Sequence, residues 1–207
     1  MIPWDADLEK NTVTPRLWSQ DKSGWSMELP ARPMLGCIGV APAPVGHEVR
    51  TSGNYGGNMD YNDIVEGATV LLPVFAEGAY LYVGDGHALQ GDGEGFGAGV
   101  EISMDVEFTV TLHKRKRLRI PRLINDEYLV SIASQPEFRS NMDIGVRSAN
   151  SDMLRWMRDE CGLTSPEAHM LMGSVVEHKI VTYYGSIATL IKKNCLPPKC
   201  HQFGGGE

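Results

Sequence analysis

The chain has 207 residues, of which 42% are hydrophobic and 22% charged, an ordinary globular composition that excludes disorder as a global description. Its formal charge of −7 argues against a nucleic-acid phosphate surface. No stretch approaches the roughly 18 consecutive apolar residues of a membrane span, and the start Met1-Ile2-Pro3-Trp4-Asp5 lacks the basic and apolar regions of a secretory signal, so the expected compartment is the cytoplasm.

Residues 1–26 are polar and without periodicity although they hold Trp4, Trp18 and Trp25, and they read as an irregular arm. Leu35 to Pro44 is an apolar run punctuated by Gly and Pro, a buried strand ending at Pro42 and Pro44. Two further strands, Thr69–Phe75 and Ala79–Val83, are joined at Glu77-Gly78. Pro73 cannot donate a ladder hydrogen bond, which assigns the first of them to an edge or a bulge. From Val100 to Leu112 every even position is apolar and every odd position is polar, the pattern of a long strand with one dry face and with Glu101 on the other. The basic run from Lys114 to Arg117 reads as a solvated turn at the end of that strand. Tyr128 to Ser134 is another strand.

A helix around Ser151 to Cys161 follows, with Leu154, Met157 and Cys161 on one face and Gly162 as its stop. Thr164-Ser165-Pro166-Glu167 opens a second helix with a capping box, and Ala168, Leu171, Met172 and Val175 form its apolar stripe. Residues 180–191 return to a strand pattern, and the segment from 197 reads as a flexible tail. Four scattered cysteines, Cys37, Cys161, Cys195 and Cys200, suit reduced thiols; Cys195, Cys200 and His201 are too few for a zinc tetrahedron.

The chemistry concentrates between Gly84 and Glu94, where eleven residues carry four glycines, three carboxylates, His87 and Gln90 between flanking strands. Glycine loops admit positive φ and draw neighbouring side chains to one point. Residue types alone leave several readings open. The calcium EF-hand spacing is absent. His87 with one or more of Asp85, Asp92 and Glu94 fits a mixed nitrogen and oxygen metal site. A metal-free acid–base pair and a solvated acidic loop fit as well.

Several ordered motifs together resemble the acetamidase/formamidase family: Ile38-Gly39-Val40-Ala41-Pro42, Gly56-Gly57-Asn58-Met59-Asp60, Leu72-Pro73-Val74, and Gly84-Asp85-Gly86-His87-Ala88 with Gln90-Gly91-Asp92-Gly93-Glu94. Glu101, Ile120-Pro121-Arg122 and the start of the second helix at Leu163 are similar too. The similarity runs over about residues 27–196, which sets these apart as one domain between the arm 1–26 and the tail 197–207. It implies an α+β, β-rich fold: a sandwich-like sheet core with about two helices near the C-terminus. It also implies hydrolysis of a small linear amide, such as formamide or acetamide, to the acid and ammonia.

Under that resemblance the expected metal-facing group is Asp60, Asp85 and His87, holding a divalent ion such as zinc or calcium. Asp92 or Glu94 would be the general base, with Glu101 orienting the site and Asn58 and Gln90 pairing with the amide. Cys37 lies in an apolar run and reads as core rather than nucleophile. Relatives carry a substantial portion before the stretch that starts here near Met27, and the segment Val176-Glu177-His178-Lys179-Ile180 departs from their pattern. The alternative expectation is therefore a non-catalytic subunit or truncated member that binds a partner chain or ligand. The expected partners are a small amide, a second copy of the chain, and a second polypeptide supplying the missing portion; neither nucleic acid nor membrane is expected.

Overall fold

The computed structural model describes residues 3–16, 27–114, 116–134 and 141–201. Trp18, Trp25, Arg115 and the segment 202–207 lie outside the described residues. In chain order the strands are β1 (Trp4–Asp7), β2 (Thr12–Pro15), β3 (Leu29–Pro30), β4 (Met34–Gly39), β5 (Ser52–Gly53), β6 (Gly56–Asn58), β7 (Thr69–Leu71), β8 (Tyr82–Leu89), β9 (Val100–Glu101), β10 (Arg122–Ile124) and β11 (Tyr128–Ala133). Helices α1 (Met142–Asp159) and α2 (Ser165–Ser174) follow, then β12 (Glu177–Thr182) and β13 (Ser186–Lys192).

The strands form two five-stranded antiparallel sheets, ordered β5-β6-β4-β8-β9 and β12-β13-β11-β10-β7, and a small sheet β1-β2-β3. This is the α+β, β-rich, sandwich-like architecture expected.

The second sheet is the middle layer, and its sequence shows why. β11 from Leu129 to Ala133 and β13 from Ser186 to Ile191 are buried at every position, as both faces must be when each is covered. Leu129 and Ile191 point to the helices and pack on Met153, Trp156, Met157 and Ala168. Val130, Ile132, Ala188 and Leu190 point the other way, onto Met59, Tyr61 and Ile64 from the layer that carries the first sheet.

One polar tie crosses the helix face. Arg122 of β10 donates from Nε to Asp152 Oδ2 at 2.7 Å and from Nη2 to Oδ1 at 3.1 Å, and the Ser131 hydroxyl donates to the same carboxylate at 2.9 Å. The Arg122 guanidinium also stacks on Trp156, 4.5 Å from the ring centroid.

Several elements differ from their sequence reading. The N-terminal arm holds the hairpin β1–β2, and Val13 buries against Ala88 and Val100 of the first sheet. Strands β7 and β8 belong to different sheets, so the Glu77-Gly78 segment crosses between layers; β7 lies at an edge and ends at Leu71, before Pro73. The helix expected from Ser151 begins nine residues earlier, at Met142, where the Asn141 side chain caps the Ile144 N–H at 3.1 Å. Its first half was hidden because its buried face uses Gly145 and Ala149, small residues that let it approach β13, instead of large apolar side chains.

At the second helix, both the Thr164 amide and hydroxyl donate to the Glu167 carboxylate at 2.7 Å. Cys161 and Cys200 are buried and meet in disulfide contact, which corrects the expectation of four separate thiols; Cys37 and Cys195 are free. His201 Nε2 is 2.7 Å from Lys193 O, away from any cysteine cluster.

The largest correction concerns the long strand. Only Val100 and Glu101 are paired as β9; residues 102–113 continue without a ladder. Beyond Met104 their apolar face is uncovered among the described residues, with Phe108, Val110 and Leu112 more than half exposed. Period-2 alternation specifies which side chains share a face but says nothing about what lies against it.

Candidate active site

Gly84 to Leu89, expected as a loop, is the greater part of β8, an interior strand of the first sheet. Its pleat puts Asp85 and His87 on one face. The antiparallel register sets His87 opposite both Met34 of β4 and Glu101 of β9, so Glu101 shares that face, as its position on the polar side of the alternating run requires. Gly36 of β4 forms the floor: a Cβ there would lie 2.5 Å from Asp60 Oδ1 and 2.7 Å from Asp85 Oδ2. Asp60 enters from the end of β6, its amide bonded to Gly36 O at 2.9 Å and its backbone left-handed at φ 49°. Asp85 and Glu94 are also left-handed, at φ 60° and 46°. Three carboxylates of one cluster thus sit in a backbone region that non-glycine residues enter rarely.

The imidazole is the hub. His87 is 1% exposed. Its Nδ1 lies 2.6 Å from Gln90 Oε1, and Gln90 Nε2 donates to the Asp60 carbonyl at 2.6 Å. A proton on Nδ1 satisfies the Gln90 oxygen and leaves the Nε2 lone pair facing the carboxylates. Nε2 is 3.0 Å from Glu101 Oε2 and 3.4 Å from Asp85 Oδ1, yet its angles to both miss hydrogen-bond geometry. Asp60 Oδ1 is likewise buried without a partner, while Asn58 Nδ2 donates to Oδ2 at 2.5 Å. Two overlapping sets, Asp60 with Asp85 and His87, and His87 with Glu94 and Glu101, bring their ligand atoms within 4.8 Å of one another. Buried atoms without partners, one imidazole nitrogen among carboxylate oxygens, have the chemistry of a divalent-ion donor set, and this group could hold one.

Electrostatics reflect the crowding of carboxylates. Burial, then the charges of Glu94 and Asp85, pushes Asp60 up to about 8. Burial opposes the imidazolium, but the close Asp85 carboxylate, the Gln90 hydrogen bond and the charge of Glu101 outweigh it and raise His87 to about 9. The nearby His87 imidazole holds Asp85 low, while burial first and then the charges of Asp85 and Glu101 raise Glu94. Both Asp60 and His87 therefore bind protons more tightly folded than unfolded, across pH 3.8 to about 8 and 6.5 to about 9. Stability falls as pH rises through those windows. The chelated protein is expected to melt at lower temperature at pH 9 than at pH 5, and a divalent ion, which replaces those protons, should restore most at the alkaline end. Calorimetry with and without chelator reads this; a chelated melting temperature that climbs from pH 5 to pH 9 would contradict it.

Of the eight residues expected at the site, six converge: Asn58, Asp60, Asp85, His87, Glu94 and Glu101. Gln90 also lies there, but both ends of its carboxamide are committed to His87 and Asp60, so it holds the imidazole and does not face outward. Asp92 stands apart from both ligand sets: it accepts from Asn62 Nδ2 at 2.9 Å and pairs with Lys179 at 3.2 Å, in a network shared with Asp63. The Cys37 thiol, raised to about 11 by burial and by the charges of Asp85 and Asp60, is no nucleophile at neutral pH.

Sequence reasoning missed Gly36 and also Gly99, where a Cβ would lie 2.9 Å from His87 Nδ1. A glycine inside an apolar strand was the available signal for Gly36. Gly36→Ala should weaken ion binding by about 10- to 100-fold while leaving the cores intact, because the methyl group forces Asp60 and Asp85 apart. Titration of the folded variant with zinc checks this, and wild-type affinity would show that the floor is not tight.

A β sandwich with helices on its outer face and a histidine–carboxylate cluster on an interior strand defines a class of β-rich domains with a built polar centre. The sequence profile of the acetamidase/formamidase family matches residues 45–184. The chain belongs to the acetamidase/formamidase family. Among solved structures, acetamidase from Yersinia enterocolitica is similar at a TM-score of 0.76 and 28% identity, over 94% of this chain and 56% of that one. Acetamidase from Bacillus halodurans gives 0.75 and 31%, over 88% of this chain and 61% of that one. A predicted acetamidase/formamidase from the thermophile Thermoanaerobacter tengcongensis gives 0.75 and 29%, over 96% and 63%. The chain thus spans less than two thirds of each of these proteins. No curated protein matches it.

Proposed function

We propose that this domain, residues 27–196, carries the reacting centre for hydrolysis of a small linear amide of the formamide or acetamide type to the carboxylic acid and ammonia. The observation that carries the reading is the pair of buried atoms without partners, His87 Nε2 and Asp60 Oδ1, aimed into one cluster with Asp85, Glu94 and Glu101. A divalent ion held by Asp60, Asp85 and His87 would supply Lewis-acid polarisation of the amide carbonyl and acidify a water, and the mixed donor set suits zinc better than calcium.

The chain's own residues supply the rest. Glu94, held above its ordinary range by burial, takes a proton from the attacking water and returns it to the leaving nitrogen. Gln90 holds the imidazole through Nδ1 and fixes its tautomer, and Glu101 lies beside Nε2 on the opposite side. Asn58, tied to Asp60 through its amide, offers its carboxamide oxygen to the substrate N–H. No helix among the described residues is long and apolar enough to cross a membrane.

A second reading, a non-catalytic subunit that binds a partner chain or ligand, is favoured by the openness of the cluster. The Asp85 and Glu101 side chains are 32% and 38% exposed. The chain also spans only part of the proteins it resembles. Ammonia release from formamide, acetamide and longer amides, measured on zinc-loaded and chelated protein, separates the two. Release that chelation removes supports the hydrolase, and none from folded, loaded protein assigns the subunit role.

A further inference from the structure

The turn that carries Glu94 has little apolar anchorage of its own. Of residues 91–97 only Gly93 is buried and Glu94 half-buried, while Phe96 is fully exposed. Two local hydrogen bonds shape the turn: the Glu94 N–H donates to Gly91 O at 3.3 Å and the Gly97 N–H to Glu94 O at 2.7 Å. Bonds of this kind fix a conformation but not its place relative to His87. That place is set from the other sheet. Gly93 forms a parallel bridge with Thr182 at the end of β12, and the Tyr183 N–H donates to Gly93 O at 2.9 Å. A Cβ on Gly93 would lie 2.9 Å from Ile180 Cγ2, so strand and turn are in close contact. From the same strand Lys179 Nζ reaches Asp92 Oδ1 at 3.2 Å and Asp63 Oδ2 at 3.0 Å.

We propose that Lys179 is a positioning residue for amide hydrolysis, holding turn 91–97 from β12 so that Glu94 stands beside His87; this rests on the reading of Glu94 as the group that moves the proton. The ammonium is itself well held. Its side chain is 21% exposed, and Nζ lies 5.5 Å from the ring centroid of the buried Tyr61. The Asp63 carboxylate that it shares is gripped by Arg32 Nη2 at 2.7 Å. Asp92, far from both ligand sets, becomes the handle by which the turn is held. Without Lys179 only the neutral Asn62 amide, which donates to Asp92 Oδ1 at 2.9 Å, would retain that carboxylate, and the charge of Asp63 would repel it. The Asp92 side chain is 63% exposed, so a pair of this kind adds little to stability. Its effect falls on where the turn stands.

The ion-holding group is tied differently. The Asp60 N–H donates to Gly36 O, and Gln90 joins His87 to the Asp60 carbonyl. None of these contacts passes through Lys179, and Asp63 keeps Arg32 when Lys179 is lost. Removing Lys179 therefore displaces the base and leaves the donor set in place.

The test uses the full chain loaded with zinc. Lys179→Met should bind zinc as the wild type does and keep its KM for acetamide, with kcat lowered about 10- to 100-fold by the misplaced base. Lys179→Arg keeps the charge and should recover most of that loss. Because Lys179 acts through Glu94, adding Lys179→Met to Glu94→Gln should lower kcat no further than Glu94→Gln does alone. Amide exchange at Tyr183, whose proton the Gly93 carbonyl holds, should quicken in Lys179→Met and slow again in Lys179→Arg. An undiminished kcat in Lys179→Met, an equal fall in the Glu94→Gln background, zinc affinity lost in step with kcat, or unchanged exchange at Tyr183 would each overturn the proposal. Loaded wild-type protein that releases no ammonia would sink the hydrolase reading and the positioning role with it, whereas active wild type beside an equally active Lys179→Met would sink the positioning role alone.

Discussion

His87→Ala protein should fold, fail to retain a divalent ion, and release ammonia from small amides at a rate reduced by between about a hundred- and a thousandfold. The imidazole belongs to both ligand sets, so its loss empties each of its only nitrogen donor. It also frees Gln90 Oε1, leaving that buried carboxamide without its acceptor role. His87→Gln keeps a polar side chain of similar reach and separates loss of the donor from loss of packing. Metal content of the purified variants, read beside turnover, decides the matter. Retention of both ion and activity by the alanine variant would remove His87 from the site, even if the chain hydrolyses amides.

Asp152→Ala should destabilise the fold by about 3–5 kcal/mol, because it leaves the Arg122 guanidinium buried with no counter-charge. The side chains are 6% and 1% exposed, so water cannot take the carboxylate's place. Ser131 Oγ loses its acceptor as well. For a domain of this size the loss corresponds to a fall in melting temperature of roughly 6–20 °C. Removing both charges at once, as in Arg122→Met with Asp152→Leu, should recover most of that loss, since an apolar pair of similar volume carries no desolvation cost. Thermal melts of the single and double variants form the test; a double variant as unstable as Asp152→Ala alone would mean that packing on Trp156, and not the charge, is what the pair contributes.

How much could be read beforehand follows from where the information lies along the chain. Asp85, His87, Glu94 and Glu101 were legible because they fall within one short stretch and because strand pleating fixes which of them share a face. Asp60 was legible only through the family motif, since 24 residues and a change of strand lie between it and Asp85. The site of Asp92 was not legible. Its partner Lys179 comes from β12, on the other sheet, and no local spacing announces such a contact. Glu94, two residues later and left-handed at its backbone, turns back towards His87 instead.

Local interactions, then, were written in the chain itself: the alternation of β strands, the Thr164–Glu167 cap, the stop at Gly162, and the gathering of an imidazole with carboxylates near a glycine-rich turn. Tertiary structure alone decided which strands became neighbours, that Gln90 would hold the imidazole, that Gly36 would be the floor between two carboxylates, and that the apolar side chains of Phe108, Val110 and Leu112 would stay more than half exposed. The physical reason is one of range. Backbone periodicity and capping depend on residues a few positions apart, whereas a buried charge or an open strand edge takes its meaning from whichever distant segment folds against it.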